Sequence, residues 1–416
     1  MDKFIIEGGR PLKGSVAVNG SKNAALPILI ATLLTDEPCV LENVPNLRDI
    51  RTTYRLLETL GKKVVVRGKT VRVESRERLK TRAPYDLVKQ MRASILVVGP
   101  LLARFGRARA ALPGGCAIGL RPIDIHLKGF EAMGARTRTE GGDAVLEGDL
   151  RPTRVRLRFP SVGATENLMM AAAAVPGRTV VDNAAREPEI ADLGRFLAAL
   201  GAKVRGAGSS RVVVEGTLRL RGARHRVIPD RIEAGTFLLA CAAAGGDATL
   251  LGARADDLRA LVAAVRKAGV EVRASRQGLR VLSVGRPRAV SVRTEPHPGF
   301  PTDLQAPWMS LMCLSRGKSR IREEIFERRF LHAAELARMG ARIEVAGTDA
   351  VVEGVPALFG APVMASDIRA GAALIVAALA AQGTSEVQRV YHIDRGYERV
   401  ELRLRRLGAR IRRVNA

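Results

Sequence analysis

The chain has 416 residues, 47% of them apolar, a formal net charge of +26 and only 4% aromatic residues. That length exceeds one ordinary core and predicts two or three domains with ample apolar material to bury. No run of about 18 uncharged apolar residues occurs and "MDKFIIEGGRPLKG" lacks a signal-peptide core, so a soluble, cytoplasmic chain with no membrane partner is expected. The charge invites a nucleic-acid partner, but it is spread along the whole chain, Arg outnumbers Lys 56 to 12, and aromatics for base stacking are scarce. No nucleic-acid partner is expected; an anionic substrate explains the cations equally well. Cys39, Cys116, Cys241 and Cys313 are scattered, without zinc or disulfide spacing, and no metal site is expected.

In chain order, the first element is a strand-like segment with turn glycines, "FIIEGGRPLKGSVAVNG". An apolar helix follows, "SKNAALPILIATLL", and then an amphipathic helix that ends in "LLETLGKKVVV". Both phrases recur. The first returns as "QMRASILVVGPLLARFG", "SVGATENLMMAAAAVPG", "DRIEAGTFLLACAAAGG", "TDLQAPWMSLMCLSRG" and "DIRAGAALIVAALAAQG". These helices are apolar nearly all round and belong inside a domain. The second returns as helix end, glycine and strand at Gly61, Gly134, Gly201, Gly269, Gly340 and Gly408, spaced 73, 67, 68, 71 and 68 apart. Each glycine suits a left-handed helix C-cap. Six units result, each a buried helix, a strand, an amphipathic helix and a strand pair.

The buried helices are placed to start at Lys22, Met91, Ser161, Asp230, Thr302 and Asp367, which leaves the last unit about twenty residues short. Its missing strand pair is assigned to residues 1–21. Two domains of three repeats are therefore predicted, one of residues 22–229 and one of residues 1–21 plus 230–416, with a hinge near 20–22 and 229–230 and a ligand cleft between the domains. Helix N-termini attract anions, yet four of the six first turns carry Lys or Arg, at Lys22, Arg92, Arg231 and Arg369. An anionic ligand would relieve that opposition.

The repeat also supplies a control for Cys116. From the glycine ending a buried helix to the glycine ending the next helix, four later units span 24, 23, 23 and 25 residues, whereas Gly106 to Gly134 spans 28. The extra residues fall in "LPGGCAIGLRP", a glycine-rich loop carrying Cys116 beside Arg121. The other three cysteines read as small buried hydrophobes, but Cys116 reads as a functional thiol on a mobile loop of about residues 112–122. Asp303 suits a helix N-cap as well as a catalytic base, Glu187 or Glu189 could cap a helix, and an exposed Asp-Arg pair would account for "IDRG" at Arg395.

Ten phrases in order then carry a resemblance: "SKNAALPI", "APYDLVKQMRAS", "LPGGCAIGLRPIDIH", "PSVGATENL", "NAAREPEI", "PDRIEAGTFL", "PHPGFPTDLQA", "FERRFLHAAELARMGA", "DIRAGAAL" and "YHIDRGYER". Together they resemble the UDP-N-acetylglucosamine 1-carboxyvinyltransferases, a family of enolpyruvyl transferases. The resemblance implies an α/β fold of two inside-out α/β barrel domains, each of three repeated β-α-β-α-β-β units, with an interdomain active-site cleft. It implies transfer of the enolpyruvyl group of phosphoenolpyruvate to the 3'-hydroxyl of UDP-N-acetylglucosamine, opening peptidoglycan synthesis, by a cofactor-free monomer. By motif match, Lys22, Arg121 and Arg395 would hold phosphoenolpyruvate, with Asn23, Arg92 and Arg369 lining the same anionic region. Cys116 looks like the general acid and the target of epoxide phosphonates of the fosfomycin type; Asp303 looks like the base, and Lys22 and Arg395 share the catalytic role.

The nucleotide sugar would meet Asn23, Arg92, Arg121, Pro122, Ile123, Asp124, Ile125, Pro160, Ser161, Val162, Gly163, Asp303 and Ile325, supported by Glu187, Arg329 and Asp367. Phe159 joins these contacts where some members of the family carry a lysine, exchanging a charged contact for an apolar one. Two rivals remain at this point: the sister reaction on shikimate 3-phosphate, which lacks the cysteine loop, and a non-catalytic or RNA-binding relative.

Overall fold

Thirteen helices and six four-stranded sheets make up the computed structural model, which describes residues 2–88, 91–112 and 123–415 apart from the side chain of Arg92. In chain order the helices are α1 (Lys22–Ala31), α2 (Arg48–Thr59), α3 (Tyr85–Val88), α4 (Val98–Phe105), α5 (Asp124–Ala132), α6 (Val162–Ala173) and α7 (Pro188–Ala199). They continue with α8 (Arg231–Ala244), α9 (Arg259–Lys267), α10 (Gln305–Cys313), α11 (His332–Arg338), α12 (Ile368–Ala380) and α13 (Val400–Arg406).

The chain forms two compact units. A continuous unit holds the described residues of 20–228, and a split unit holds residues 2–19 and 229–415. In each, three apolar helices lie in the core: α1, α4 and α6 in the continuous unit, and α8, α10 and α12 in the split one. Apart from α4, whose last three residues are only partly buried, they are buried on every side along nearly their whole length, which their all-round apolar sequences demand. Amphipathic helices cover them. In α2, Ile50, Thr53, Leu56 and Leu57 are buried while Arg48, Arg51, Arg55 and Glu58 face solvent, the 3.6-residue pattern of a half-buried helix. All six glycines ending such helices have positive φ, between 88° and 115°, the conformation that favours glycine over any side chain.

The sheets share one plan. In the third repeat, Arg154–Arg156 runs parallel to Gly177–Asp182 with Arg154 opposite Val180, Arg211–Gly216 pairs antiparallel on the far side of Gly177–Asp182, and Lys203–Arg205 forms the edge. The first repeat takes its leading strand from the end of its own unit, where Arg224–Arg226 pairs with Cys39–Glu42.

The N-terminus does the same for the split unit, and here the structure corrects the sequence expectation. Strand β1 (Lys3–Glu7) lies between Thr384–Gln388 and Arg410–Val414 in the sixth sheet, with Phe4 opposite both Val387 and Arg413. Strand β2 (Leu12–Ala17) instead joins the fourth sheet, parallel to Gly246–Leu251. The sixth repeat thus lacked one strand rather than a pair, because "ARIRRV" at the C-terminus is itself a strand. The split unit is circularly permuted relative to the continuous one: β1 and β2 play the parts of Arg211–Gly216 and Arg224–Arg226. Its ends are tied by Asp230 N–H donating to Asn19 O at 2.8 Å, and by the buried Glu233, which accepts from Asn19 and Arg403.

The expected helix starts hold to within a residue, with a 3-10 stretch leading two of them, Arg92–Val97 before α4 and Thr302–Leu304 before α10. Among the described residues no helix is long and apolar enough to cross a membrane.

Candidate active site

In the split unit, Asp303 lies in the 3-10 turn leading into α10. Pro301 occupies the N-cap position, so the carboxylate of Asp303 does not serve as the cap that its place in the sequence suggested. It faces two guanidiniums instead. Arg329 Nη2 donates to Oδ1 at 2.6 Å, and Arg369 Nη2 donates to Oδ2 at 2.9 Å. Burial alone would raise the affinity of this carboxyl for a proton, but the two cations outweigh it and hold Asp303 well below the usual carboxylate range. For Arg369, burial disfavours the charged form, and the surrounding groups, Asp303 foremost, together more than offset that.

Both arginines are themselves held. Arg329 Nη1 donates to Thr302 Oγ1 at 2.9 Å, and its guanidinium lies 4.9 Å from the centroid of the Phe326 ring. Thr302 Oγ1 donates in turn to the Glu323 carboxylate, which also accepts from Thr294 Oγ1 and from the backbone N–H groups of Ile325 and Phe326. Burial pushes the Glu323 carboxyl upward. Arg369 sits in the first turn of α12, which Asp367 caps by accepting from Arg369 N and Ala370 N at 2.8 and 3.1 Å.

The neighbouring His332 is buried in α11 with its Nε2 lacking a hydrogen-bond partner, and burial lowers its pKa to about 4. The folded value lies below the unfolded value near 6.5, so this histidine contributes stability above pH 6.5 that is lost as pH falls through 4. That contribution is about 3 kcal/mol. Chemical denaturation of the wild type and His332→Gln at pH 7.5 and 4.5 is expected to show a shallower pH dependence in the variant; equal slopes would contradict the buried neutral imidazole.

In the continuous unit, Lys22 opens α1 and is buried, its Nζ 3.5 Å from Asp49 Oδ2, with Ser21 capping the helix and the half-buried Asn23 next to it. Ser161 caps α6 through Ala164 N, with Pro160 before it and Val162 and Gly163 in the first turn. Ile123 and Asp124 open α5, followed by Ile125, and Asp124 Oδ2 accepts from Arg158 at 2.6 Å. Between α5 and α6, the Asn167 amide donates to Ile95 O and to His126 Nδ1, both at 3.1 Å. Phe159 is 41% exposed, an apolar ring beside an arginine already paired with Asp124.

Glu187 stands at the N-cap position of α7 without a side-chain cap bond, so the capping role allowed for it is not realised; Glu189 lies buried in the first turn. Arg395 ends the 3-10 helix Val390–Arg395, and Asp394 beside it takes Arg413 as a partner. Cys39, Cys241 and Cys313 are buried, as small hydrophobes should be, and burial raises each thiol pKa. Cys116, Arg121, Pro122 and the side chain of Arg92 lie outside the described residues. Within the split unit the structure brings Asp303, Arg329 and Arg369 together, and Asp367 sets the helix that carries Arg369. Sequence reasoning found no sign of Thr302 and Glu323 as supports, whose pairing joins two ends of one repeat, nor of Tyr397, whose hydroxyl meets Thr236 from α8 and Arg369 from α12.

The EPSP synthase (3-phosphoshikimate 1-carboxyvinyltransferase) family profile matches residues 6–404. The chain belongs to that family. Within the EPSP synthase family, it is 57% identical over 421 residues to the UDP-N-acetylglucosamine 1-carboxyvinyltransferase of Anaeromyxobacter dehalogenans (strain 2CP-C), covering 100% of both chains. It is 54% identical over 415 residues to the protein of the same name from Nitratidesulfovibrio vulgaris (strain Hildenborough), covering 99% of both. Among solved structures, the enolpyruvyl transferase NikO from Streptomyces tendae matches with a TM-score of 0.87 at 26% identity, over 100% of this chain and 99% of that one. EPSP synthase from Acinetobacter baumannii matches with a TM-score of 0.76 at 16% identity over the whole of both chains, which shows the shared fold.

Proposed function

We propose that this protein transfers the enolpyruvyl group of phosphoenolpyruvate to the 3'-hydroxyl of UDP-N-acetylglucosamine and releases phosphate, the first committed step of peptidoglycan synthesis. The observation that carries this reading is the full-length identity of 57% to a relative bearing the name of that activity, against 16% to an EPSP synthase of known structure. The functional groups divide between residues 22–229 and residues 1–21 with 230–416, which we take as the two functional domains. The enzyme would work as a cytoplasmic monomer without a cofactor.

The chemistry is an addition followed by an elimination. Asp303 takes the proton of the sugar hydroxyl as its oxygen bonds to C2 of phosphoenolpyruvate, and Cys116 gives a proton to C3. Phosphate then leaves C2 and takes up the proton that Asp303 removed, while C3 returns a proton to the Cys116 thiolate and the double bond is restored. Lys22, Arg121 and Arg395 are assigned to neutralise the phosphate and carboxylate, with Arg92 and Arg369 as further cations and Asn23 as a hydrogen-bonding group.

The clamp on Asp303 refines this scheme. A carboxylate between two guanidiniums is ionised but weakly basic. Arg369, one of the two, belongs to the set assigned to the anionic substrate, so an incoming phosphate or carboxylate that draws on its charge raises the basicity of Asp303 when a proton must be accepted. Phe159 offers the nucleotide an apolar face in place of a lysine contact.

The test is phosphate release from phosphoenolpyruvate with UDP-N-acetylglucosamine as acceptor, for the wild type and Cys116→Ser. Turnover in the wild type and its loss by at least about a hundred-fold in the variant are expected. Unchanged turnover in Cys116→Ser would remove the thiol from its assigned role, and adduct formation by an epoxide phosphonate at Cys39 instead would do the same.

A further inference from the structure

We infer that Tyr397 is a positioning residue for the reaction, holding Arg369 against Asp303 through a directed hydrogen-bond chain anchored on α8; this rests on the proposed transferase reading. Tyr397 is 2% exposed, and its hydroxyl meets two groups. Thr236 Oγ1 lies 2.8 Å away and Arg369 Nη1 lies 3.2 Å away.

The direction of the chain follows from counting protons. Thr236 Oγ1 gives its single proton to Ile232 O at 2.9 Å, so at Tyr397 it can only accept. Tyr397 therefore donates to Thr236 and accepts from Arg369. The run is Arg369 to Tyr397 to Thr236 to the backbone of α8, with no donor facing a donor. The same guanidinium lies 5.7 Å from the centroid of the Tyr397 ring, so ring and hydroxyl both engage it.

Arg369 thus has one nitrogen on Asp303 and the other on Tyr397. The two attachments differ in how they respond to the reaction. When Asp303 takes a proton it loses its charge, and its attraction for Arg369 falls. The bond to Tyr397 is unaffected by that event. Tyr397 then keeps the guanidinium in place while negative charge develops on the substrate, which places its contribution in the transition state more than in ground-state binding. Tyr397 also lies two residues beyond Arg395, and its N–H donates to Ile393 O at 2.9 Å, so it links the segment carrying Arg395 to the helix carrying Arg369.

Tyr397→Phe, Thr236→Val, the double variant and Thr236→Ser separate this role from simple packing. For Tyr397→Phe, kcat is expected to fall about ten-fold, the worth of one buried charge-assisted hydrogen bond, with KM for both substrates within about two-fold of wild type. Thr236→Val should lower kcat in the same direction, the double variant should be no worse than Tyr397→Phe, and Thr236→Ser, which keeps the hydroxyl, should match wild type. In an Asp303→Asn background, where the charge of the carboxylate is gone, the crystal structure with Tyr397→Phe added should show Arg369 displaced from the position it keeps when Tyr397 is present. A kcat within two-fold of wild type in both Tyr397→Phe and Thr236→Val, independent multiplying effects of the two, or an unmoved Arg369 would overturn the inference. If Tyr397→Phe does not fold, the contrast between Thr236→Val and Thr236→Ser decides. A wild type that releases no phosphate defeats the transferase reading instead, while the position of Arg369 still tests the hold that Tyr397 exerts.

Discussion

Asp303→Asn is expected to lower turnover by about a thousand-fold, because it removes the carboxylate charge that Arg329 and Arg369 both pair with and the base assigned to the sugar hydroxyl. The amide keeps the shape of the carboxylate and can still accept one hydrogen bond, so KM should move far less than kcat. Asp303→Ala goes further. It leaves two buried guanidiniums pointing at an empty space and at one another, and breaking a buried ion pair in this way costs about 3 to 5 kcal/mol of stability. Activity should therefore be compared at a temperature where urea titration shows each variant folded. An Asp303→Asn enzyme within ten-fold of wild type would remove this carboxylate from the chemistry. The stabilising part has its own pH signature: a carboxyl held well below its ordinary value contributes stability that is complete above about pH 4 and is lost only as the pH falls well below that.

The second large effect is on stability alone. Gly99 sits in α4 against α6, where an added Cβ would lie 2.4 Å from Asn167 Oδ1 and 2.5 Å from Asn167 O. The Gly99 N–H donates to that same Oδ1 at 2.8 Å, and the remaining bonds of the amide run to Ile95 O and His126. Gly99→Val must push Asn167 aside, combining overpacking with the loss of buried hydrogen bonds, for about 3 to 5 kcal/mol in total. The melting temperature should fall by roughly 10 °C, and a drop below about 2 °C in calorimetry would show that the helices part without cost.

The repeat architecture was legible because its signals are local. All-round apolar helices, helix-ending glycines and alternating strands each lie within a dozen residues, and six copies at a near-constant period reinforce one another. The same regularity exposed the insertion around Cys116. What escaped was non-local. Nothing in "FIIEGGRPLKGSVAVNG" says that its two strands enter different sheets, since that depends on which edges residues 246–251 and 384–414 leave open. Asp303 was ambiguous for a related reason. An aspartate before a helix looks the same whether it caps the backbone or faces guanidiniums 26 and 66 residues further on. Tyr397 stood inside a phrase singled out for Arg395, and its role appears only when Thr236 from α8 and Arg369 from α12 meet at one hydroxyl.

The acceptor of the enolpyruvyl group distinguishes this protein from other members of the family, which includes enzymes with a different one. The direct measurement is mass spectrometry of the products when the purified protein is given phosphoenolpyruvate together with equal amounts of UDP-N-acetylglucosamine and shikimate 3-phosphate. The expected product is the enolpyruvyl ether of UDP-N-acetylglucosamine, formed with one phosphate per product, with shikimate 3-phosphate recovered unchanged. Enolpyruvylated shikimate 3-phosphate as the main product, or neither product with phosphoenolpyruvate intact, would contradict it.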